Sequence, residues 1–395
     1  MGLGPLGGIR VLDFGRYVAG PYCAALLGDF GAEVIRIEKK EGNEDRYVTP
    51  VTAEGEGSIF LQMNRNKQSL ALNLASDEGR EVVRELIRTA DVVVANMSAK
   101  AAARLGLDYE TLKELKPDII VVGISAFGSK GPWADRLGFD SIGQVMSGGV
   151  YLAGTEDQPY RSPTPWVDFG TALHAAFGVM VALYERQKTG LGQEVSASLL
   201  STALTFNGQP LLEQALSSPN RRPLGNRAFN SGPTDLFQTK DGWIATHVVS
   251  APLFARWARL MGEEDRWLAD ERFSDDISRG ENGEILSERM SQWCAERTQA
   301  EALDALAAAK IPAGPVLSPQ QVLDHPQVKA LDLLHPVTYP GLARPAELAA
   351  APALLSRTPA KTHAPPTLGE HTRSILEGLG YGPSAISELQ QRGVI

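Results

Sequence analysis

Cysteine is scarce in this chain, and the two that occur are not paired at any functional spacing. Cys23 and Cys294 lie far apart among 395 residues, and no CxxC motif is present. This excludes a small disulfide-stabilised domain and a zinc-finger type of site. No cluster of histidine, cysteine and aspartate stands at ligand spacing, so no metal is expected. Two isolated thiols are typical of a reducing compartment, and the predicted localisation is cytoplasmic.

Positive charge is also in deficit, and long hydrophobic runs are missing. The chain has 38 Lys and Arg against 47 Asp and Glu, a net charge of −9. A nucleic-acid-binding protein is therefore not expected, although a local basic pocket for an anionic ligand remains compatible with this balance. The segment Met1–Leu6 resembles no secretory signal. The longest apolar stretch within a predicted helix, Ala175–Tyr184, is too short to cross a bilayer, so no membrane partner is expected.

The nucleotide-binding motifs of the common α/β enzymes are absent, although an α/β pattern is clear. The first predicted strand is followed by Gly15–Pro21, which contains no G-x-G-x-x-G, and no Walker sequence occurs. A nicotinamide oxidoreductase and ATP chemistry are therefore not supported. Short apolar runs alternating with amphipathic segments predict a Rossmann-like parallel sheet flanked by helices. The predicted strands are 9–14, 34–38, 91–95, 119–124 and 193–199, and the predicted helices include 77–89, 109–115 and 169–188.

Changes in composition predict two domains. A Rossmann-like large domain is expected over 1–216, completed by the C-terminal segment 335–395. The stretch 217–232 is rich in Pro, Asn, Arg and Gly and is predicted to be a linker. A smaller α+β domain is expected over 233–334, beginning with a hairpin at Asp241-Gly242. The Ala/Pro-rich stretch 345–366 is predicted to be extended.

Asp168 is the most informative single residue. It stands at the start of the long apolar helix, directly after the proline-stiffened segment Ser162–Pro165. The first turn of a helix has free N–H groups and a positive dipole end, which predicts an ionised carboxylate. Two interpretations follow: Asp168 caps its helix, or it is a nucleophile toward an activated acyl group. Both need the charged form, so the two are compatible.

Five motifs in this order resemble those of the family III CoA-transferases, which include formyl-CoA and carnitine CoA-transferases and, as divergent relatives, the α-methylacyl-CoA racemases. The resemblance covers nearly the whole chain. Its motifs are Arg10–Phe14 with Ala19–Pro21, Gly31–Glu38, Asn64–Ser69, Lys188–Gln193 and Leu368–Thr372.

The resemblance implies that Asp168 is the nucleophile. Its carboxylate would attack an acyl-CoA thioester, and the reaction would proceed through acyl-aspartyl and aspartyl-CoA intermediates. It implies no permanently bound cofactor, with coenzyme A and acyl-CoA as substrates beside a small carboxylic acid. It also implies an interlocked homodimer.

The resemblance further implies a set of ligand-binding residues. CoA carries three phosphate groups, so basic and amide side chains are expected around it. The expected CoA-binding residues are Lys39, Asn66, Lys67, Asn96, Arg104, Leu105 and Arg136. Residues Arg16, Tyr17 and Val18 are expected near the reacting groups. Arginines 221, 222 and 227 of the linker are hypothesised to bind the second carboxylate of a dicarboxylic acceptor, with succinyl-CoA as a candidate donor.

Two other functions of the same fold stay open. A racemase needs a histidine directly before the aspartate of a Gly-His-Asp motif, whereas this chain has Gly138-Phe139-Asp140. Phenylalanine cannot carry a proton, so the racemase is disfavoured. His174 is the histidine nearest to Asp168 in sequence, and it is expected to be packed and hydrogen-bonded. A noncatalytic CoA-binding protein is the other alternative.

Overall fold

The computed structural model describes residues 4–395, and its largest sheet is parallel throughout. The six strands of this sheet are β1 (Arg10–Asp13), β2 (Glu33–Glu38), β3 (Lys67–Ala71), β4 (Val92–Ala95), β5 (Ile120–Ser125) and β6 (Glu194–Ser198). They lie side by side in the order β3-β2-β1-β4-β5-β6. This is the strand order of doubly wound α/β proteins, in which the order reverses between β1 and β4. The predicted Rossmann-like α/β architecture is confirmed.

Both faces of the sheet are covered, which explains the apolar runs in its strands. In β4, Val92 and Val94 belong to one hydrophobic core, and Val93 and Ala95 belong to the other. Successive side chains of a strand point to opposite faces, so a strand between two cores needs apolar residues at every position.

Besides these strands, residues 4–395 form nineteen α-helices. In the first half of the chain they are α1 (Ala19–Asp29), α2 (Ser58–Met63), α3 (Asp77–Thr89), α4 (Ala99–Leu105), α5 (Tyr109–Leu115), α6 (Asp140–Met146), α7 (Gly149–Ala153), α8 (Trp166–Thr189), α9 (Leu199–Phe206) and α10 (Gly208–Ser217). The later helices are α11 (Ala251–Leu260), α12 (Glu264–Ala269), α13 (Asp276–Glu281), α14 (Gly283–Ala295), α15 (Gln299–Ala308), α16 (Pro319–Asp324), α17 (Pro326–Ala330), α18 (Thr372–Gly378) and α19 (Pro383–Gln391). Short 3₁₀ helices occupy Glu44–Tyr47 and Glu271–Phe273.

The helix α8 is longer than its apolar centre suggested. It runs over 24 residues and packs with α1 on one face of the sheet. By length and hydropathy it meets the criteria for a membrane span, so the expectation that it is too short is wrong. Half of its most apolar window is buried inside the protein. Large apolar side chains on its other side, Phe177, Val181 and Tyr184, are exposed.

Strand β3 was not predicted from the sequence. Its five residues are Lys67, Gln68, Ser69, Leu70 and Ala71, and only Leu70 and Ala71 are apolar. It is an edge strand that pairs in parallel with β2. Its polar side chains enter a buried ionic network, so no apolar run marks the strand.

The chain folds into two compact units, and each is defined by the contacts within it. The larger unit comprises residues up to Ser147, Ser162–Ala215 and Leu331–Ile395. The smaller comprises Gly148–Arg161 and Leu216–Ala330. The segment Gly148–Arg161, assigned above to the large domain, thus belongs to the smaller unit. The predicted domain boundaries themselves stay predictions.

The smaller unit is an α+β structure with its own aromatic core. Its three-stranded sheet has the order β7-β8-β9, formed by β7 (Thr234–Gln238), β8 (Trp243–His247) and β9 (Ala313–Pro315). The predicted hairpin joins β7 to β8, with the Thr239 N–H donating to the Gly242 carbonyl. Trp257 and Phe254 lie at the centre of the core.

The C-terminal segment belongs to the larger unit. Its hairpin pairs β10 (Leu334–Val337) with β11 (Ala346–Ala349). From there to Thr372 the chain forms no further helix or strand.

Candidate active site

A cavity opens at the carboxyl ends of β1, β4 and β5, inside the larger unit. Its volume is about 390 Å³. The reversal of strand order between β1 and β4 leaves a crevice at this place, which is where open α/β sheets bind ligands. Most of the predicted site residues line it together, namely Arg16, Tyr17, Val18, Asn96, Arg104, Leu105, Arg136 and Asp168.

Asp168 lies in the first turn of α8, but it does not cap that helix. The N-cap position is Pro165, which has no side-chain acceptor. The capping group comes from Asp140 at the start of α6. Its Oδ1 accepts from the backbone N–H groups of Val167 (2.8 Å) and Asp168 (3.1 Å). The interpretation of Asp168 as its own helix cap is therefore wrong, because a second carboxylate occupies the N–H groups.

The Asp168 carboxyl is consequently left without a partner. Within residues 4–395 it takes part in no hydrogen bond or ion pair, although three arginines line the same cavity. Burial, and after it the negative charge of Asp140, raise the pKa of Asp168 to about 7. The raised pKa runs against the expectation that the helix terminus favours the ionised form. A carboxylate with this pKa is more basic than usual, and it is still ionised in part at neutral pH.

The loop that follows β1 also lines the cavity, and side chains hold several of its backbone groups. Asp13 Oδ1 accepts from Gly15 N (2.8 Å), and Arg36 donates to the Gly15 carbonyl (3.2 Å). Asn96 accepts from Arg16 N and donates to the Arg16 carbonyl, both at 2.7 Å. The loop is therefore fixed before any ligand arrives.

The same clamping places Tyr17 in an unusual backbone conformation. Its φ is 61°, in the left-handed region that a bulky residue rarely adopts. Its N–H donates to Asp45 Oδ2 (3.1 Å), and the Asp45 carboxylate is in turn bound by the buried Arg36 guanidinium (2.9 Å). The Tyr17 ring meets Phe139 edge to face, with centroids 5.4 Å apart. A buried ion pair thus holds an aromatic ring of the cavity wall.

Glycine permits the close approach of these elements. A Cβ on Gly15 would lie 2.7 Å from Asp13 Oδ1, and a Cβ on Gly20 would lie 3.0 Å from Asn96 Cγ. A side chain at either position would push the loop or α1 away from the strand ends.

The arginines lie along the exposed rim of the cavity. Arg104 is in the last turn of α4, which ends at Gly106 in the left-handed conformation. The Arg136 guanidinium lies over the Trp133 ring, 4.0 Å from its centroid. Arg16 is 3.4 Å from Glu44 in an exposed ion pair. These three cations form a positive edge on an otherwise acidic protein, as an anionic ligand requires.

Three predicted CoA-binding residues do not line this cavity. Lys39 is exposed and paired with Glu44 (2.5 Å). Asn66 donates to Asp29 and to the Lys361 carbonyl. Both side chains are thus engaged elsewhere in the larger unit.

Lys67 departs furthest from its predicted role. Its ammonium donates to Asp13 Oδ2 (2.7 Å), the Pro21 carbonyl (2.8 Å) and Asn64 Oδ1 (2.9 Å). All three N–H donors are used, and the side chain is completely buried. Burial lowers the pKa of Lys67 to about 8 although the Asp13 carboxylate opposes this. The structure therefore gives Lys67 a structural ion pair in place of a phosphate contact.

The residues that bear on the racemase alternative are also placed. Phe139 lines the cavity and is 61% exposed. His174 does not line it; its Nδ1 lies 3.3 Å from Thr202 Oγ1, and its ring packs on Phe206. The hydrogen-bonded, packed histidine expected from the sequence is what the structure has.

The linker arginines lie in the smaller unit. Arg222 is exposed and pairs with Glu156 (3.3 Å), and the Arg221 guanidinium lies 5.0 Å from the Phe229 ring centroid. Their role in binding an acceptor stays a prediction.

Sequence reasoning missed the residues that support the site, namely Asp13, Arg36, Asp45 and Asp140. Asp13 ends β1 and lies in the first of the five motifs, yet a charged residue at the end of a buried strand is itself a signal of a buried partner. Asp140 follows Phe139 in the sequence, and its residue type alone does not indicate its role. Arg36 lies in the middle of a buried apolar strand, where an unpaired charge is not tolerated, so a buried partner was predictable.

Comparison with known proteins agrees with this geometry. The profile of the family described as CoA-transferase family III matches residues 6–372. The succinyl-CoA–L-malate CoA-transferase beta subunit of Chloroflexus aurantiacus is 33% identical over 400 residues, covering 99% of this chain and 98% of that protein. The succinyl-CoA:glutarate CoA-transferase of Mus musculus is 32% identical over 394 residues, covering 99% of this chain and 90% of that protein.

A solved structure extends the likeness to the fold. The crystal structure of a CaiB/BaiF family protein from Brucella suis superposes with a TM-score of 0.83 at 30% identity, covering 95% of this chain and 100% of that one. Sequence, fold and cavity therefore agree, and this chain is an enzyme that belongs to CoA-transferase family III.

Proposed function

We propose that this enzyme transfers CoA from succinyl-CoA to a small dicarboxylic acid, with Asp168 as the covalent carrier. The two relatives described above are named for succinyl-CoA as donor and for malate or glutarate as acceptor, both of which are dicarboxylic acids. The observation that carries the proposal is the unpartnered Asp168 carboxyl in a cavity with three arginines. A partly buried carboxylate with no internal partner is available to a substrate, and an enzyme keeps such a costly group where chemistry needs it.

The first half-reaction loads the enzyme. The ionised Asp168 carboxylate attacks the thioester carbonyl of succinyl-CoA, a C–O bond forms, and the C–S bond breaks. This gives a mixed anhydride and CoA thiolate. The thiolate then attacks the Asp168 side-chain carbonyl carbon and releases succinate, which leaves an aspartyl-CoA thioester. The activation of the thioester is retained in a covalent bond instead of being lost to water.

The second half-reaction runs the same steps in reverse order. A carboxylate of the acceptor attacks the aspartyl thioester, CoA thiolate leaves, and a new mixed anhydride forms. The thiolate attacks the acceptor carbonyl, so that acceptor-CoA leaves and Asp168 returns to its carboxylate. No proton has to be gained or lost overall.

The cationic residues can be divided between the two substrates. Arg104 and Arg136 are proposed to bind CoA phosphates, and Leu105 to pack on the adenine. Arg16 lies on the loop that lines the cavity with Asp168, and we assign it to the second carboxylate of the acceptor. Paired hydrogen bonds between a guanidinium and a carboxylate give both affinity and orientation.

Trapping of the covalent intermediate tests the proposal. The enzyme is incubated with succinyl-CoA, treated with hydroxylamine or borohydride, digested, and examined by mass spectrometry. The expected result is a hydroxamate or a reduced side chain at Asp168, absent from an Asp168→Asn control that still binds CoA. Binding of succinyl-CoA without modification or exchange would instead indicate a noncatalytic CoA-binding protein.

An acceptor panel tests the substrate class. Glutarate and malate are compared with butyrate, a monocarboxylate of similar size, in the wild type and in Arg16→Ala. We expect the dicarboxylates to be preferred, and we expect Arg16→Ala to remove this preference with little change for butyrate. Equal use of butyrate by the wild type would overturn the dicarboxylate assignment.

We also propose that the enzyme is a cytoplasmic homodimer of interlocked chains. The exposed apolar side chains of α8 support an interface, since a stretch of this kind is seldom left in water. The two buried free thiols support a reducing compartment. Sedimentation gives the test: a mass near 42.5 kDa, that of one chain, would contradict the dimer. Cell fractionation tests the localisation.

A further inference from the structure

The first turn of α8 depends on Asp140, the first residue of α6. The segment before α8 contains Pro163 and Pro165, and the cap position has no acceptor of its own. A helix start without a cap leaves unpaired N–H groups, and a missing cap costs on the order of 1 kcal/mol. Asp140, buried at the start of α6, supplies the missing acceptor.

A second side chain of α6 holds the Asp140 carboxylate in place. Its Oδ2 accepts from Gln144 Nε2 (2.5 Å), one turn along α6. Gln144 is also buried, and its Oε1 accepts from Ser162 N (2.9 Å). Asp140 and Gln144 therefore hold both ends of the proline-rich segment that leads into α8. The hydrogen-bond partners of Asp140 are neutral groups, so no counter-ion neutralises its charge.

We propose that Asp140 is a positioning residue of this enzyme, which holds the reacting carboxylate of Asp168 in place through the backbone N–H groups of Val167 and Asp168. This inference rests on the proposed function, in which Asp168 is the nucleophile. A displacement of about 1 Å at a reacting group costs on the order of a hundredfold in rate, so the cap bears directly on catalysis.

The charge of Asp140 gives the arrangement a second effect. After burial, this charge is the other cause of the raised pKa of Asp168. The remaining ionisable groups on the surrounding elements are Arg16 and Tyr17 of the loop after β1, Arg104 of α4, Arg136 of the segment before α6, and His174 of α8. None of them pairs with the Asp168 carboxyl in the described structure. Asp140 therefore makes Asp168 more basic while it keeps the backbone fixed.

Two neutral variants separate geometry from charge. Asp140→Asn keeps an oxygen that can accept from the α8 N–H groups but removes the charge, and Asp140→Ala removes both. For Asp140→Asn we expect the rising limb of kcat/KM against pH to move to lower pH, because Asp168 then ionises more readily. For Asp140→Ala we expect the same shift and, in addition, a fall in kcat of roughly tenfold to a hundredfold with a smaller change in KM. Asp140→Ser, a neutral capping residue, is the substitute if Asp140→Asn does not fold.

Two further variants are the matched controls. Gln144→Ala breaks the contact behind Asp140 but keeps its charge, so its pH profile should retain the wild-type midpoint. Asp108→Asn changes a cap of the same kind on α5, where Asp108 accepts from Thr111 N, and it should leave both the rate and the pH profile unchanged. A wild-type pH profile in all Asp140 variants, or a loss that follows thermal stability alone, would overturn the proposal.

A measurement independent of turnover distinguishes this inference from the proposed function. In protein labelled with ¹³C-carboxyl aspartate, the Asp168 signal is identified by its absence in Asp168→Asn, and its titration is followed by NMR. A lower midpoint in Asp140→Asn supports the coupling between the two carboxylates even if transfer proceeds without Asp168. Full transfer by Asp168→Ala would refute the nucleophile, whereas an unchanged titration would refute the coupling.

Discussion

The ammonium of Lys67 lies 2.7 Å from the Asp13 carboxylate, and the other oxygen of that carboxylate holds the N–H of Gly15 at 2.8 Å. One buried ion pair therefore connects the edge strand β3 to the loop that lines the cavity. Both side chains are completely buried. Lys67 therefore supports the site indirectly, because it pairs with the carboxylate that holds the backbone of the cavity-lining loop.

Loss of Lys67 is expected to weaken the fold more than the binding of CoA. In Lys67→Met, Asp13 stays buried without its counter-charge, and breaking one side of a buried pair costs about 3–5 kcal/mol. Urea unfolding measures this cost, and calorimetry measures CoA affinity in parallel. The double variant with Asp13→Asn should recover part of the stability, because no lone charge remains.

Lys39→Met is the control for this comparison. Lys39 forms an exposed pair with Glu44, and such pairs contribute about 0–1 kcal/mol. If Lys67→Met instead kept full stability and lost CoA binding, Lys67 would contact the phosphates as the family resemblance implies, and its ammonium would have to leave Asp13.

Part of the fold and part of the candidate site could be predicted from the sequence. The alternation of β4 and its neighbours with amphipathic helices predicted the parallel sheet, because burial on both faces forces apolar strands. Strand β3 was missed because Lys67 and Ser69 satisfy charge and hydrogen-bond demands that only the folded chain creates. Residues just after strand ends, such as Arg16 and Asn96, line one cavity with Asp168, since parallel strands bring their carboxyl ends to one edge.

The role of Asp140 could not be predicted from the sequence. Its role depends on hydrogen bonds to the backbone of Val167 and Asp168, and backbone partners leave no trace in residue types. Helix periodicity alone likewise cannot tell whether the N–H groups of α8 are open or already occupied.

Asn96 is expected to support catalysis through the Arg16 loop. Asn96→Ala removes two hydrogen bonds of 2.7 Å to the Arg16 backbone, each worth about 0.5–1.5 kcal/mol. We expect kcat to fall on the order of tenfold and CoA affinity, measured by calorimetry, to change less. Asn73→Ala, which removes a local turn bond to Ala75, is the control and should retain kcat. A loss confined to CoA affinity would mean that Asn96 contacts CoA directly.

Asp168 is expected to cost the protein stability above neutral pH. Its pKa is about 7 in the folded chain against the usual value of 3.8, so between these values the folded state holds more protons than the unfolded state. Stability therefore falls as pH rises through this window, and the penalty is fully present above pH about 7. At about 1.4 kcal/mol per pKa unit, the upper limit is on the order of 4 kcal/mol.

The test compares Asp168→Asn with the wild type by thermal unfolding at pH 4 and pH 8. We expect a gain in Tm of several degrees for the variant at pH 8 and almost none at pH 4. Asp135→Asn, at an exposed aspartate of the segment before α6, should show no such difference between the two pH values. An equal gain at both pH values would show that the charge of Asp168 is not the cause.

Arg104 is expected to bind a phosphate of CoA and to have no part in the acyl transfer itself. It lies on the exposed rim of the cavity in the last turn of α4, next to Leu105. A charge-assisted hydrogen bond is worth about 1.5–3 kcal/mol, so Arg104→Ala should raise KM for acyl-CoA by roughly tenfold to a hundredfold. Arg88→Ala, at an exposed arginine of α3, should leave KM unchanged.

Truncated substrates separate this role from a general loss of activity. Succinyl-pantetheine carries the thioester without the phosphates and the adenine, so the wild type and Arg104→Ala should use it equally well. Succinyl-dephospho-CoA lacks only the 3′-phosphate, and it shows which phosphate Arg104 meets: an equal KM for wild type and variant identifies the 3′-phosphate, and a persistent difference identifies the diphosphate. Because the contact is ionic, the advantage of the wild type should also shrink as salt is raised. If Arg104→Ala impaired succinyl-pantetheine as strongly as succinyl-CoA, the guanidinium would act at the reacting end, and the division of the arginines between phosphates and acceptor would have to be reversed.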